Sequence, residues 1–250
     1  MERMIHFDIT DSTNEALKRL AKDGAPEGQV VVADAQSAGK GRRGRSFASP
    51  KGKGIYFSYL LRPKRMTPEL STLTARTAVA VQRAIQTACG VQTGIKWVND
   101  LVLHGKKVCG ILTEMSVENE KIQYVIIGIG INVNEATTDF SEELRDIATS
   151  LFIELGKTFS REKLIGEIVR ELDKMWYEME ISQTEYLEAY RKACITTGKE
   201  VQVIAGESKR KAKALQVNED YSLEVEYEDG GRESLNSGEV SVRGMEGYVS

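Results

Sequence analysis

Apolar positions along this chain alternate between helical and strand spacing, and the switches lay out its elements. Residues 5–9 read as a short strand. Ser12, with Glu15 three residues on, carries a capping-box pattern ahead of the apolar stripe Ala16, Leu17, Leu20 and Ala21. A turn over 24–28 leads to an apolar strand at 30–33, and 55–61 is a second β-rich run. The clearest helix spans 67–88, with Thr67 as N-cap, Pro68 at the first helical position and Gly90 just past its end. Strands follow at 95–98, 101–103, 108–115 and 122–129. His104-Gly105-Lys106 suits the turn between the second and third, and 117–121 the turn between the third and fourth. Helical spacing returns near 142–155, 161–177 and 183–194, the middle one carrying Leu164, Ile165, Ile168, Val169, Leu172 and Met175.

From Gly198 the character changes to short alternating β runs: Val201/Val203, residues 211–217, residues 223–227 and Val240/Val242, with the turn Asp229-Gly230-Gly231 between two of them. The expected organisation is a large module over 1–197 and a small all-β module over 198–250. Modules that small usually lean on a neighbour or close into a compact barrel.

Composition adds mainly exclusions. The 250 residues are 41% hydrophobic and 28% charged, as in soluble globular proteins. A net charge of −3 argues against a general nucleic-acid binder, so any basic patch is local. Cys89, Cys109 and Cys194 are too few and too scattered for a disulfide framework or a Cys-rich zinc site, and they suit a reducing cytoplasm. His6 and His104 cannot make a His-based metal triad, and no nucleophile elbow is visible. No signal peptide and no membrane-length apolar run are expected.

Against that background, Gly39-Lys40-Gly41-Arg42-Arg43-Gly44-Arg45 stands out, with cations spaced by glycines after the strand at 30–33. Such a loop can turn backbone N–H groups and charged side chains toward one anion. Three more segments bear on it. Lys96-Trp97-Val98-Asn99-Asp100 gathers a cation, an aromatic, an amide and a carboxylate at a strand end; Lys107 begins a strand; and Gly128-Ile129-Gly130-Ile131-Asn132-Val133-Asn134 is a strand whose glycines suit close backbone approach by a ligand. Each also has an ordinary reading: a solvated loop, a buried Trp97, a surface hairpin lysine, tight packing at Gly128 and Gly130.

The order of these segments is distinctive. Asp11-Ser12-Thr13-Asn14, then the run from Gln36 to Arg45, then Lys96 to Asp100, Lys107 to Ile111, Gly128 to Asn132 and the closing run from Leu235 to Arg243 resembles biotin–protein ligases over nearly the whole chain. The resemblance implies an α+β fold, a mixed β-sheet backed by α-helices (the class II synthetase-like, biotin–lipoate ligase fold) followed by an SH3-like β-barrel. It implies ATP-dependent formation of biotinyl-5′-AMP and transfer of biotin to a lysine of a biotin carboxyl carrier domain, with Mg²⁺ arriving on ATP rather than fixed by protein ligands. By the same resemblance Ser12, Thr13, Asn14 and Gln36 would hold the biotin head, with Gly110, Gly128, Tyr56 and Ser58 shaping its pocket. Lys40, Gly41 and Arg42 would cover the carboxylate and α-phosphate, and Arg45 would reach the outer phosphates. Lys107 would stabilise charge where the bond forms. Trp97, Asn99, Asp100 and Asn132 would lie at the nucleotide, Asp100 being a candidate to take the acceptor lysine's proton. Two positions depart from the family pattern: Lys40 stands where Arg is common and Val98 where Pro is usual. The chain begins at the catalytic module, so a ligase without specific DNA binding is expected, acting in the cytoplasm as a homodimer and without membrane attachment. The rival readings are a lipoate–protein ligase, an RNA-binding protein, which the 7% aromatic content disfavours, and a non-catalytic biotin or nucleotide sensor.

Overall fold

The computed structural model describes residues 2–179, 183–236, 241–244 and 248. Among them, β1 (Met4–Thr10), β2 (Val30–Gln36), β3 (Ile55–Leu61), β4 (Gly94–Lys96), β5 (Asp100–Leu103), β6 (Lys106–Glu118) and β7 (Lys121–Ile131) form a seven-stranded sheet in the order β1-β2-β3-β7-β6-β5-β4. The β1–β2 pair is parallel and the other neighbours are antiparallel, so the sheet is mixed, as expected.

Both faces of this sheet are covered, which is why β3 is apolar at nearly every position and buried throughout. On one face lies α1 (Thr13–Lys22), whose Ala16, Leu17 and Ala21 pack on Val31, Leu60, Tyr124 and Ile126. On the other lie α2 (Leu73–Cys89), α5 (Arg161–Glu178) and α6 (Gln183–Ala193). The predicted helix start at Thr67 is a 3₁₀ turn over Pro68–Thr72, which passes into α2 at Leu73; Gly90, at φ 74°, closes the helix.

Three expectations are corrected. First, the helix expected over 142–155 is two short ones, α3 (Glu142–Arg145) and α4 (Leu151–Leu155). The chain between them runs as a strand partner of Lys107: Lys107 N–H donates to the Ile147 carbonyl at 2.8 Å, and Thr149 N–H donates to the Lys107 carbonyl at 2.8 Å. Ser150 then caps α4 by accepting from Ile153 N–H at 3.1 Å. Second, Ser12 is the N-cap of α1, but no capping box forms. Gln36 takes the first free N–H of the helix, Thr13's, on its Oε1 at 2.9 Å, and Glu15 turns to Lys18 and Lys40 instead. Third, the strand expected over 95–98 ends at Lys96, and the Trp97–Val98 peptide is cis.

The C-terminal strands β8 (Glu200–Ala205), β9 (Ser208–Val217), β10 (Leu223–Tyr227), β11 (Arg232–Leu235) and β12 (Ser241–Gly244) form a separate antiparallel sheet in the order β11-β10-β9-β8-β12. Val240 and the Ser237 to Val240 part of the closing run lie outside the described residues. The two sheets share one apolar core. Trp97 Nε1 donates to the Tyr221 carbonyl at 2.9 Å, Arg191 Nε to the Val217 carbonyl at 2.8 Å, and the Tyr190 and Tyr221 rings meet edge-on at 5.4 Å.

Candidate functional site

The site opens where α1 begins. Along the α1 face, β3 and β7 carry Leu60 and Ile126 beneath the helix, then change to Ser58 and Gly128, which pair in register. Gly110 of β6 and Gly130 of β7 extend this bare strip as a second pair. Without large side chains, the sheet beyond the helix start leaves a cleft of about 460 Å³, counted to its open mouth. Its floor includes Gly110, Gly128 and Gly130, and its rim Ser12, Thr13, Asn14, Gln36, Lys40, Gly41 and Arg42. Each glycine makes room for a neighbouring side chain. A Cβ would overlap the Asn14 amide at Gly128, the Phe47 ring at Gly130 and the end of Lys107 at Gly110.

The closed end of this cleft is lined by hydroxyl and amide side chains and is tightly bonded. Ser58, fully buried, donates to Thr13 Oγ1 at 2.8 Å or to Asn14 Oδ1 at 2.5 Å. Asn14 Nδ2 donates to Glu114 at 2.7 Å, and Gln36 Nε2 donates to Ser49 Oγ at 2.8 Å. Ser58 therefore stands behind the lining, fixing the residues that face the cleft. Tyr56 is also set back, its hydroxyl donating to the Pro50 carbonyl at 2.9 Å and its ring edge-on to Phe47.

A second, wider cleft of about 1630 Å³ adjoins the first. Gly41, Arg42, Phe47, Asn99 and Lys107 line both. The wide cleft adds Arg43, Arg45, Lys96, Trp97 and Asp100 from the large module, and Arg243 and Tyr248 from the C-terminal part. The basic loop folds over the junction. Gly41 N–H donates to the Arg45 carbonyl at 2.7 Å, and Arg43 (φ 57°) and Gly44 (φ 75°) make the turn in left-handed backbone. Arg42 reaches across to Asn99 Oδ1 at 3.0 Å, while Asn99 Nδ2 is anchored on the Ile111 carbonyl at 2.9 Å. Burial pulls the Arg42 pKa down from its ordinary value, against the opposing pull of Asp100.

Lys107 Nζ pairs with Asp100 Oδ1 at 2.7 Å. The phenol of Tyr248 donates to Asp100 Oδ2, and Lys96 Nζ lies 3.6 Å over the centre of the Tyr248 ring. Burial acts to raise the Asp100 carboxyl pKa, but Lys107, Tyr248 and Lys96 outweigh it and hold the group ionised. Burial also brings the Lys96 ammonium down to about 8; Asp100 resists this shift and Lys107, Arg243 and Arg45 add to it.

Of the residues singled out in the sequence, Ser12, Thr13, Asn14, Gln36, Lys40, Gly41, Arg42, Asn99, Lys107, Gly110 and Gly128 line the first cleft, and Arg45, Trp97 and Asp100 line the second. Asn132 lines neither. Its Nδ2 donates to the Thr149 carbonyl at 2.9 Å, holding the segment that flanks Lys107. Sequence reasoning missed Phe47, Lys96 as a lining residue, Glu114 and Tyr248. Phe47 stood beside a quoted motif and Lys96 inside one, without an assigned role; Glu114 and Tyr248 gave no local signal. Among the described residues no group of three or more His, Cys, Asp or Glu side chains is placed to hold a metal ion.

With this geometry the chain can be compared with known proteins. The biotin/lipoate A/B protein ligase family matches over residues 6–132. The bifunctional ligase/repressor BirA of Bacillus subtilis is 45% identical over 175 residues, covering 70% of this chain and 54% of that protein. The chain thus spans about half the length of this relative. A biotin–[acetyl-CoA-carboxylase] ligase of Mycobacterium tuberculosis is 31% identical over 200 residues, covering 78% of this chain and 71% of that one. In three dimensions, a biotin protein ligase from Aquifex aeolicus, solved in complex with biotin and ATP, superposes with a TM-score of 0.80 at 30% identity, covering 97% of this chain and 99% of that one. The chain therefore belongs to the biotin/lipoate A/B protein ligase family.

Proposed function

We propose that this protein is an ATP-dependent biotin–protein ligase that activates biotin as biotinyl-5′-AMP and passes it to a lysine of a biotin carboxyl carrier domain. The observation that carries the reading is the junction: a small neutral-ended cleft meets a large cationic one, and Arg42 and Lys107 line both. A ureido ring brings two N–H donors and a carbonyl, which suit the hydroxyls and amides around Asn14 and Gln36. The dithiolane of lipoate brings no N–H donor and no carbonyl to match those groups.

In this reading the biotin carboxylate lies at the junction, opposite the α-phosphate of ATP. A carboxylate oxygen attacks the α-phosphorus and pyrophosphate leaves. Arg42 and Lys107 lower the repulsion between the two anions and stabilise the charge that builds on the α-phosphate oxygens. Alignment in the narrow passage supplies much of the remaining rate. In the second half-reaction the acceptor amine attacks the acyl carbon, the bond to AMP breaks, and Asp100 takes the amine's proton. Mg²⁺ enters with the triphosphate as the MgATP substrate.

The same proposal takes residues 1–197 as the catalytic module and 198–250 as an SH3-like module, working as a homodimer in the cytoplasm, where Cys89, Cys109 and Cys194 stay reduced. The test is incubation with ATP, Mg²⁺, labelled biotin and a carrier domain. Label on the carrier is expected; no transfer of biotin together with acceptance of lipoate would move the assignment to a lipoate ligase.

A further inference from the structure

We infer that Tyr248 is a positioning residue for the transfer half-reaction, a C-terminal phenol that fixes the Asp100 carboxylate against the acceptor amine. The inference rests on the ligase reading above and extends it to a residue outside every quoted motif.

Three contacts carry it. The Tyr248 hydroxyl donates to Asp100 Oδ2, while Lys107 Nζ takes Oδ1 at 2.7 Å. With a partner on each oxygen, one from β6 and one from the end of the chain, the carboxylate cannot rotate about its Cβ–Cγ bond without breaking one of them. Lys96 Nζ, 3.6 Å over the ring centre, holds the phenol from its face. Burial and the nearby Asp100 charge push the phenol pKa above its ordinary value, so the hydroxyl remains a donor. A carboxylate oxygen has two acceptor positions, so the bond to Tyr248 leaves one on Oδ2 for the incoming amine. The proton passes from the amine to Oδ2 as the C–N bond forms and AMP departs with the electron pair of the acyl–oxygen bond. The first half-reaction has no such proton to place. The phenol should therefore matter to transfer and little to adenylate formation.

The experiment compares wild type, Tyr248→Phe and Tyr248→Ala in two single-turnover measurements: formation of biotinyl-5′-AMP without carrier, and transfer from preformed adenylate to a carrier domain. Tyr248→Phe keeps the ring over Lys96 and removes only the hydroxyl. It is expected to slow transfer about tenfold, as loss of one hydrogen bond to a charged group does, while adenylate formation changes less than about twofold. Tyr248→Ala is expected to show the same transfer defect and, with Lys96 uncovered, a raised KM for ATP that Tyr248→Phe restores. Wild-type transfer by Tyr248→Phe, or an equal fall in both half-reactions, overturns the positioning role. A wild-type protein that neither adenylates nor transfers biotin overturns the ligase reading itself, and is told apart because the defect is then independent of Tyr248.

Discussion

On the closed side of the junction, the wall is made of hydroxyls and amides bonded to one another, with one carboxylate behind them: Ser58 to Thr13 and Asn14, Gln36 to Thr13 and Ser49, and Asn14 to Glu114, which Lys18 neutralises. On the open side it is made of cations carried by a loop, a strand end and the C-terminal part: Arg42, Arg43, Arg45, Lys96, Lys107 and Arg243. The first wall is held by the sheet register, because Ser58 faces Gly128 across β3 and β7. The second is held by long-range contacts, and its strength varies with pH and with charge. In the proposed reading, one half recognises shape and hydrogen-bond pattern and the other gathers and neutralises phosphate.

Substitutions should separate the two halves. The largest effect is expected from Lys107→Ala, at the junction. Loss of a charge aimed at the reacting atoms should slow adenylate formation on the order of a hundredfold to a thousandfold, beyond any fall in the thermal midpoint from leaving Asp100 without its nearest counter-ion. Quenched-flow assay of biotinyl-5′-AMP reads this, and unchanged turnover would remove Lys107 from the chemistry. Next is Gly128→Ala on the neutral side. A Cβ there displaces Asn14, which Ser58 and Glu114 hold in place, so biotin affinity should fall roughly tenfold to a hundredfold while ATP affinity holds. Calorimetric titration with each ligand decides it, and an equal loss for both would break the division. Arg42→Gly should release biotinyl-5′-AMP about tenfold faster, because the loop then loses its tie to Asn99 and its charge over the adenylate. The same dissociation rate as wild type would refute that role.

The smallest effect expected is that of pH. Lys96, brought down to about 8, is charged below that value and neutral above it. Raising pH through this range removes a cation from the phosphate side alone, so the KM for ATP should climb roughly threefold between about pH 7 and about pH 9 while biotin affinity stays level. In Lys96→Met the climb should disappear; its persistence would assign the titration to another group.

The strands around the site were legible because their turns and alternation are local. The hairpin at His104 and Gly105 follows its turn residues, although the one at Asn119 and Glu120 reaches positive φ without any glycine. The motif glycines did mark the cleft, and their main packing role is to accommodate Asn14, Phe47 and Lys107. What could not be read locally was decided by distant partners. Residues 142–155 have helical spacing throughout, yet the middle is drawn out by Lys107, some forty residues earlier in the chain. Ser12 and Glu15 spell a capping box, but the Ser12 side chain makes no cap bond and Glu15 turns to Lys18 and Lys40. Tyr248, near the end of the chain, meets Asp100 across 148 positions, and spacing along the chain carries no trace of that contact.

Lys40 and Lys107 already have carboxylate partners within the protein, Glu15 at 2.6 Å and Asp100 at 2.7 Å. A ligand anion arriving at these lysines replaces or shares an existing counter-ion rather than meeting a bare charge. Binding is then an exchange between two ion pairs, and dissolved salt weakens both sides of it. The ionic-strength dependence of ligand affinity should accordingly be shallower than the number of cations around the cleft suggests. The protein is spared the cost of a large unneutralised charge while it waits for its substrates.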